Sequence, residues 1–231
     1  MLILAVETSG DVCSVAVRDD DGLLAERAFR HRMHLSERLI GDVEAVLTDA
    51  ETDLRSIEAL AVGIGPGSFT GLRVGVATVK IWAHLLDNPV AGISSLEAVA
   101  FEYSGLEGAL IVALIRNRPD SVHMQTFRAV ATAVEPLGGP AVIPVPDIAD
   151  RLAAESGITV LCGDGLERHR DVIAPRMPAG VLFGRTDSPR ASVIAAIASR
   201  RICSGQTDDP ISLTPMYVAP PPIGPPSKRL P

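Results

Sequence analysis

Three short strand patterns at the start of the chain, followed by alternating helix and strand patterns, are the feature that most limits the fold. Apolar residues favour β-strands over 2–8, 12–18 and 23–29. Asp19-Asp20-Asp21-Gly22 joins the last two, and Asp and Gly tolerate the left-handed backbone that tight turns require. We therefore predict that the protein opens with an antiparallel meander.

Helical and buried-strand patterns then alternate. Apolar residues recur at helical spacing from Leu35 to Leu47, with Ser36 as the N-cap, which predicts an amphipathic helix. Residues 60–64 form a short apolar run that is typical of a buried parallel strand. A Gly-rich turn and a second helix over about 70–86 follow it.

A further strand at 90–93 leads into a helix through residue 101, where Ser94 and Glu97 fit a capping box. The predicted order is therefore β-β-β-α-β-α-β-α. This is the half-domain of the actin-like (ASKHA, ribonuclease-H-like) α/β fold, so we expect two lobes, each with a mixed sheet flanked by helices. The order of the elements predicts the fold, but the function has to be inferred from the residues of a site.

The second half repeats this theme less clearly. The predicted elements are strands at 109–115, within 122–134 and at 159–162, and helices at 147–156 and 192–204. From Pro210 the composition shifts, and proline cannot continue a helix or a strand ladder. We therefore divide the chain into an N-terminal half-domain at 1–104, a second half-domain at 105–218 and a proline-rich tail at 219–231.

Composition narrows the class of protein. Aromatic residues are 3% of the chain, with Trp82 as the single tryptophan, so the core must consist of Ala, Val, Ile and Leu. A formal charge of −7 opposes direct nucleic-acid binding, because phosphate neutralisation supplies most non-specific affinity. Glu7 and Asp11 interrupt the first apolar run too early for a signal peptide or a membrane span, so we expect a cytoplasmic protein.

The cysteines and histidines do not form a convincing metal site in the sequence. Cys13, Cys162 and Cys203 are widely spaced, so we expect buried reduced thiols rather than a disulfide or zinc site. His31 and His34 are two candidate ligands where zinc takes three or four, so no metal is predicted. No Gly-x-Ser-x-Gly turn presents Ser68 or another serine as a nucleophile, which opposes a serine-hydrolase function.

The segment from Gly63 to Gly75 is the most unusual in the chain. Its glycines join a strand to a helix, where backbone amides could cradle a phosphate at the helix N-terminus. It lacks the Lys-Ser/Thr pair of a Walker loop and the spacing of a dinucleotide fingerprint. A tight turn is the alternative, and Gly71 and Gly75, four residues apart, would let another helix come close. We favour the turn and the close helix contact together.

These residues resemble the TsaB (YeaZ) family. The Gly-Pro-Gly-Ser-Phe-Thr-Gly-x-Arg-x-Gly pattern is similar to the signature of that family, and the similarity is dense over residues 1–100 and sparse afterwards. The residues of the signature loop are Gly65, Pro66, Gly67, Ser68, Phe69 and Arg73. The other matching stretches are Thr8-Ser9, 34–39 and 92–98, with 163–165, 189–191 and 215–218 as weaker anchors.

The resemblance implies a non-catalytic subunit, a paralogue of TsaD, in the synthesis of threonylcarbamoyladenosine in transfer RNA. TsaD would transfer the threonylcarbamoyl group, a TsaE-type ATPase would join through the complex, and transfer RNA would be bound only indirectly. Without TsaD, the chain would pair with itself. No cofactor is implied beyond a weak or interface nucleotide. The implied partner-binding residues are Ser36, Leu39, Val43, Thr70, Gly71, Val74, Gly75, Thr78 and Trp82.

Two departures from the family pattern concern the catalytic position of the fold. Actin-like kinases need a short carboxylate at the end of the first strand, and this chain has Glu7 there. Arg116 stands where the second-lobe strand of the family has an acidic residue. Both changes weaken a magnesium–nucleotide site. A small-molecule kinase or ATPase of the same fold is the alternative function, and a homodimeric binding module without TsaD is a third.

Overall fold

The computed structural model describes residues 1–30, 35–152, 157–185 and 187–218. In the first part of the chain, strands form a sheet in the order β3-β2-β1-β4-β5, in which β1 to β3 are antiparallel and β1, β4 and β5 are parallel. These strands are β1 (Ile3–Glu7), β2 (Val12–Arg18), β3 (Leu23–Arg30), β4 (Ala59–Gly65) and β5 (Val90–Ser94). The helices are α1 (Leu35–Asp49), α2 (Phe69–Leu86) and α3 (Ser95–Phe101).

The second part forms a sheet in the order β11-β10-β6-β7-β8. A further strand, β9, also pairs with β7, at the opposite end of that strand from β8. Its strands are β6 (Leu110–Arg116), β7 (Ser121–Val130), β8 (Ala133–Pro136), β9 (Ala141–Pro144), β10 (Thr159–Cys162) and β11 (Val181–Phe183). The helices here are α4 (Ile148–Leu152), α5 (Asp164–Ile173) and α6 (Ala191–Cys203).

The predicted order β-β-β-α-β-α-β-α is confirmed, and so is the fold of two mixed sheets flanked by helices. The Asp19–Gly22 turn forms because the Asp19 carboxylate accepts hydrogen bonds from the backbone N–H groups of Asp21 and Gly22. Ser94 caps α3 as predicted, accepting from the backbone N–H of Glu97. Ser36, however, already lies inside α1, so the prediction that it is the N-cap is wrong.

α6 packs against the first sheet, although the sequence placed its residues in the second half-domain. Its apolar stripe, formed by Ala191, Ile194, Ala195 and Ala198, lies on the face of small residues that β1, β2, β4 and β5 present. α1 and α2 cover the opposite face of the same sheet. Small alanine side chains on both surfaces allow this close helix–sheet contact, and the division of the chain at 105–218 stays a prediction.

The second sheet is also covered on both faces. α3 packs on one face and α4 and α5 on the other.

The remaining sequence predictions concern cysteines, histidines, the tail and membrane spans. Cys13 and Cys162 are buried free thiols as expected, whereas Cys203 is exposed, which corrects the prediction for that residue. The predicted tail at 219–231 and the pair His31 and His34 lie outside the described residues. None of the described helices is long and apolar enough to cross a membrane.

Candidate functional site at the junction of the lobes

The signature loop and the start of α2 pack closely against the end of β1 and form hydrogen bonds with it. A Cβ placed on Gly71 or Gly75 would lie well under 3.0 Å from Thr8, closer than a side chain normally approaches any atom. The Thr8 hydroxyl donates to the carbonyl oxygen of Gly71 at 2.9 Å, and the Ser68 N–H donates to the carbonyl oxygen of Ser9 at 2.7 Å. The two glycines therefore serve a close approach, but the element that they meet is a strand end of the same chain.

The predicted partner-binding residues divide into a buried and a partly exposed group, and their contact with a partner stays a prediction. Leu39, Val43, Gly71 and Gly75 are buried within the described chain, where its own core uses them. Their burial follows from the helical repeat, since each faces the first sheet. The remaining predicted residues keep some surface exposure, and they are Ser36, Thr70, Val74, Thr78 and Trp82.

The signature-loop residues divide into a buried and an exposed group. Gly65 and Pro66 are buried, and Gly65 has φ +100°, a backbone conformation that side-chain-bearing residues rarely adopt. Ser68 caps α2 by accepting from the Gly71 N–H at 3.2 Å. Phe69 is exposed, and the guanidinium of Arg73 lies 4.9 Å from the centre of its ring. The loop thus combines a tight turn with a small exposed cation–π pair.

The Glu7 carboxylate at the end of β1 is completely buried and fully engaged. Oε1 accepts from the Ser9 N–H at 2.6 Å, and Oε2 accepts from the Ser95 hydroxyl at 2.9 Å. A Cβ on Gly63 would overlap the same carboxylate, so β4 also presses against it. Burial raises the pKa of Glu7, and the hydrogen bonds from Ser9 and Ser95 oppose that rise. This carboxylate is a structural group enclosed by β4, Ser9 and α3.

The second lobe offers a buried carboxylate of its own, at the N-terminus of α5. Asp164 Oδ1 accepts from the backbone N–H of Arg116 at 2.9 Å, and Oδ2 accepts from the Ser188 hydroxyl at 3.3 Å. Burial raises the pKa of Asp164, while the Arg116 N–H and the positive charge of Arg116 lower it. The Asp164 carboxylate is therefore also committed to its own chain.

Arg116 connects the two lobes across this region. Its guanidinium pairs with Asp11 at 3.1 Å in the first lobe and with Glu167 on α5 in the second. Its Nε also donates to the carbonyl oxygen of Asp164 at 3.2 Å. A small cavity of about 200 Å³ remains beside these residues, bordered by Ser9, Arg116 and Asp164. The guanidinium thus occupies the region where the fold would otherwise bring carboxylates together.

A magnesium–nucleotide complex does not fit these groups. Magnesium needs carboxylate oxygens that are free to bind it, and both oxygens of Glu7 already accept hydrogen bonds in a sealed site. Arg116 brings a positive charge where a second carboxylate would be required. Among the described residues, no cluster of three or more His, Cys, Asp or Glu side chains could hold a metal ion.

Sequence reasoning singled out Glu7 and Arg116 but missed their partners. Ser95, Asp164 and Ser188 come from three separate segments, and Asp11 was considered only as a break in an apolar run. Asp164 lies within the Gly-Asp-Gly stretch at 163–165, which was noted only as a weak anchor. A buried acidic residue at a helix N-terminus after a buried strand was the available signal.

The exposed sides of α1 and α2 carry apolar side chains that the core does not use. Ile40 projects from α1, while Phe69, Ile81 and Leu85 project from α2, and all four are exposed. On α2, Thr70, Val74, Thr78 and Ile81 follow one another at intervals of three or four residues, so they lie on one side of the helix. The outer sides of these two helices therefore expose large apolar side chains beside polar ones.

The fold and the site define an actin-like α/β protein in which the carboxylate of the first strand is sealed away from solvent. A family model described as "TsaD: tRNA N6-adenosine threonylcarbamoyltransferase" matches residues 22–176. The chain belongs to this family, and its similarities place it with TsaB (YeaZ).

Individual relatives support the same placement. The chain is 29% identical over 222 residues to the tRNA threonylcarbamoyladenosine biosynthesis protein TsaB of Escherichia coli (strain K12), covering 94% of each chain. It superimposes on YeaZ from Pseudomonas aeruginosa with a TM-score of 0.80 and 26% identity, covering 94% of this chain and 99% of that one. A hexokinase of Thermus thermophilus has a TM-score of 0.51 at 14% identity, covering 87% of this chain and 100% of that one, a likeness of fold alone.

Proposed function

We propose that this protein is a non-catalytic subunit that binds and supports a TsaD-type enzyme in threonylcarbamoyl transfer to adenosine in transfer RNA. The sealed Glu7 carboxylate is the observation that carries the proposal, because it removes the group that an actin-like catalyst would use for magnesium. The relatives are described as biosynthesis proteins for this modified nucleoside. In this proposal the chemistry belongs to the partner, and the protein acts in the cytoplasm.

The same observation opposes the alternative of a small-molecule kinase or ATPase. Such an enzyme would have to expose Glu7 by breaking its hydrogen bonds to Ser9 and Ser95, and then hold magnesium beside the positively charged Arg116. We expect no steady ATP turnover by the isolated protein. ADP release that falls in Glu7→Gln would contradict this and favour the kinase.

The outer surface of α1 and α2 is the proposed contact with TsaD. Ile40, Ile81 and Leu85 supply apolar area, and Ser36, Thr70 and Thr78 lie at its polar margins. Interfaces of this kind depend on a few apolar anchors surrounded by polar residues. In the absence of TsaD, the same surface would pair two copies of this chain. The TsaE-type ATPase and transfer RNA would join through the assembled complex.

A substitution on α2 tests this assignment. We expect Ile81→Asp to reduce capture of the TsaD-type protein of the same organism at least about tenfold, because a carboxylate would be buried against apolar surface. Leu182→Asp on β11 is the matched control, since Leu182 is 52% exposed and Ile81 58% exposed. Capture is measured by pull-down with tagged protein, and folding by a melting curve.

Three results separate the possibilities. Loss of capture in Ile81→Asp with normal capture in Leu182→Asp supports the α1–α2 surface. Normal capture in both variants would reject that surface while leaving the partnership intact. Failure of the unaltered protein to capture TsaD would reject the proposed function, and light scattering would then show whether the chain pairs with itself as a homodimeric binding module.

A further inference from the structure

A second, larger groove lies where four segments of the chain meet. The signature loop, the turn between β6 and β7 with the start of β7, strand β9 and residues 216–218 enclose a volume of about 510 Å³. Much of its wall consists of aromatic, proline and branched apolar side chains, which include Pro66, Phe69, Val142, Pro144 and Tyr217. A groove of this chemistry suits an apolar ligand better than a charged one.

Phe69 and Tyr217 supply two exposed rings to this wall. Their ring centres are 5.2 Å apart at an angle of 34°, and the two residues are 41% and 46% exposed. Proline-rich chains bind grooves that are lined by aromatic rings, because proline rings pack on aromatic faces and a chain of prolines loses little conformational freedom on binding. The groove therefore has the side chains that a proline-rich ligand requires.

The segment that ends beside this groove is held in place by the first lobe. The ammonium group of Lys80 on α2 donates to two carbonyl oxygens of the segment, including that of Leu213 at 2.8 Å, and the Leu213 side chain is buried in the core. The backbone N–H of Met216 donates to the carbonyl oxygen of Ile64 at 2.7 Å. These contacts hold the chain in position up to Val218, which itself lines the groove.

The proline-rich tail begins directly after Val218. Residues 219–231 lie outside the described part of the chain, but their sequence contains six prolines, and its first eight residues carry no charge. Proline favours an extended chain with a rise of about 3.1 Å per residue, so residues 219–222 would span about 12 Å. Because Val218 already lines the groove, the first residues of the tail are the part of the chain best placed to enter it.

The polar groups of the groove match a chain of this composition. Proline has no N–H group, so a run of prolines presents carbonyl oxygens that need hydrogen-bond donors. Arg118 in the turn between β6 and β7 is exposed and brings guanidinium N–H groups to the groove. The Asp120 carboxylate beside it already accepts from the Ser121 hydroxyl at 3.1 Å, so it does not depend on a donor from the ligand.

We propose that the start of the proline-rich tail, residues 219–222, binds in this groove of its own chain, with its proline rings against Phe69 and Tyr217 and its carbonyl oxygens facing Arg118. The tail then closes the groove and ties the end of the strand-like segment after α6 to the second lobe. Covalent linkage through Val218 favours this contact, because it gives the tail an effective concentration in the millimolar range. The tail of a second copy would have to compete with that concentration. The proposal does not depend on the partnership with TsaD.

The test uses the full chain and hydrogen–deuterium exchange measured by mass spectrometry. Backbone amides that a bound segment covers exchange more slowly than exposed ones. We expect the combined change Pro220→Gly, Pro221→Gly and Pro222→Gly to raise exchange in the turn between β6 and β7 at least about threefold, because glycine removes the rings and the preference for an extended chain. Exchange in the Asp19–Gly22 turn, which lies in the first sheet, should not change.

Two further variants are the controls. The combined change Pro225→Gly and Pro226→Gly alters the tail beyond the proposed contact, so exchange in the turn between β6 and β7 should stay close to that of the unaltered protein. Tyr217→Ala removes one of the rings and should raise exchange in the same turn. Added to the triple glycine variant, it should raise exchange no further, because both changes remove one and the same contact.

Faster exchange in the triple glycine variant, reproduced but not increased by Tyr217→Ala, supports the proposal. Unchanged exchange in the triple glycine variant would overturn it, as would additive effects of the two changes or an equal effect of the change at Pro225 and Pro226. Protection of the turn that weakens when the unaltered protein is diluted would assign the groove to the tail of a second copy, and the intramolecular contact would then be wrong.

Discussion

The end of β1 is held in two different ways. On one side is the glycine joint, formed by Thr8, Gly71 and Gly75, in which α2 touches the backbone and hydroxyl of the strand end. On the other side is the arginine joint, in which Arg116 links Asp11 to Glu167 through partly exposed ion pairs. Close packing leaves no room for another side chain, while exposed ion pairs adapt readily. This difference predicts that substitution costs more stability at the glycine joint than at the arginine joint.

Substitution of Gly71 by leucine should give the largest effect, because it attacks the glycine joint directly. The new Cβ would overlap the carbonyl oxygen of Thr8, a backbone atom that cannot swing away. Overpacking of this kind typically costs about 1–3 kcal/mol of unfolding free energy, and we expect the upper end here because the obstacle is a backbone atom. Urea unfolding measures the loss. Ala77→Leu, on the exposed side of the same helix, is the control and should change stability by less than about 0.5 kcal/mol.

This outcome also separates folding from association. The family resemblance placed Gly75 among the implied partner-binding residues, where a bulky side chain would disrupt pairing. Because Gly75 meets the Thr8 hydroxyl inside the chain, we now expect substitution there to lower stability first. A Gly71→Leu protein as stable as the Ala77→Leu control would show that α2 can shift away from β1, and the glycine joint would then be no tighter than the arginine joint.

Replacement of Glu7 by glutamine should have a smaller, pH-dependent effect on the same side of the strand end. Burial raises the pKa of Glu7 above 4.5 in the folded protein, so the folded state holds this proton more tightly than the unfolded state. The unaltered protein therefore loses stability as pH rises from about 4.5 through the folded pKa, by at most about 1.4 kcal/mol per pH unit. A glutamine side chain at position 7 has nearly the same shape as glutamate but carries no charge that folding must bury.

The expected result is that Glu7→Gln gains stability over the unaltered protein as pH rises above 4.5, measured by urea unfolding at several pH values. Glu44→Gln on the exposed side of α1 serves as the control and should follow the unaltered protein at every pH. Parallel curves for the Glu7 variant would mean that Ser9 and Ser95 fully compensate the buried charge. The end of β1 would then contain no electrostatic strain.

The first lobe was largely predictable from the sequence because its signals are local. Strand alternation, the Asp19–Gly22 turn and the Ser94 cap each involve a few neighbouring residues. The spacing of Gly71 and Gly75 correctly indicated a close approach but could not identify what they approach. That partner is Thr8, 63 positions from Gly71 along the chain. Local patterns specify an element, and its neighbour is decided by packing of the whole chain.

The second lobe and the arginine joint were less predictable for the same reason. β9 and β11 have only four and three residues, too few to show alternation, and α6 returns to the first sheet over a long separation. Arg116 was visible as a departure from the family pattern, but its pairing with Asp11 spans 105 positions.

Substitution of Arg116 by methionine should give the smallest effect on stability and completes the comparison. The Arg116 side chain is 34% exposed, and its partners Asp11 and Glu167 are 70% and 58% exposed, so water and salt already screen both pairs. Such pairs contribute about 0 to 1 kcal/mol each, and methionine retains most of the apolar stem. The backbone N–H of residue 116 still donates to Asp164 in the variant.

We therefore expect Arg116→Met to lose about 1 kcal/mol of unfolding free energy at low salt. This loss should shrink as sodium chloride is added, whereas the loss in Gly71→Leu should not depend on salt. Arg27→Met, which removes comparable exposed pairs within the first lobe, is the control for a general charge effect. A loss in Arg116→Met as large and as salt-independent as that of Gly71→Leu would show that the lobes are joined by packing on both sides of the strand end.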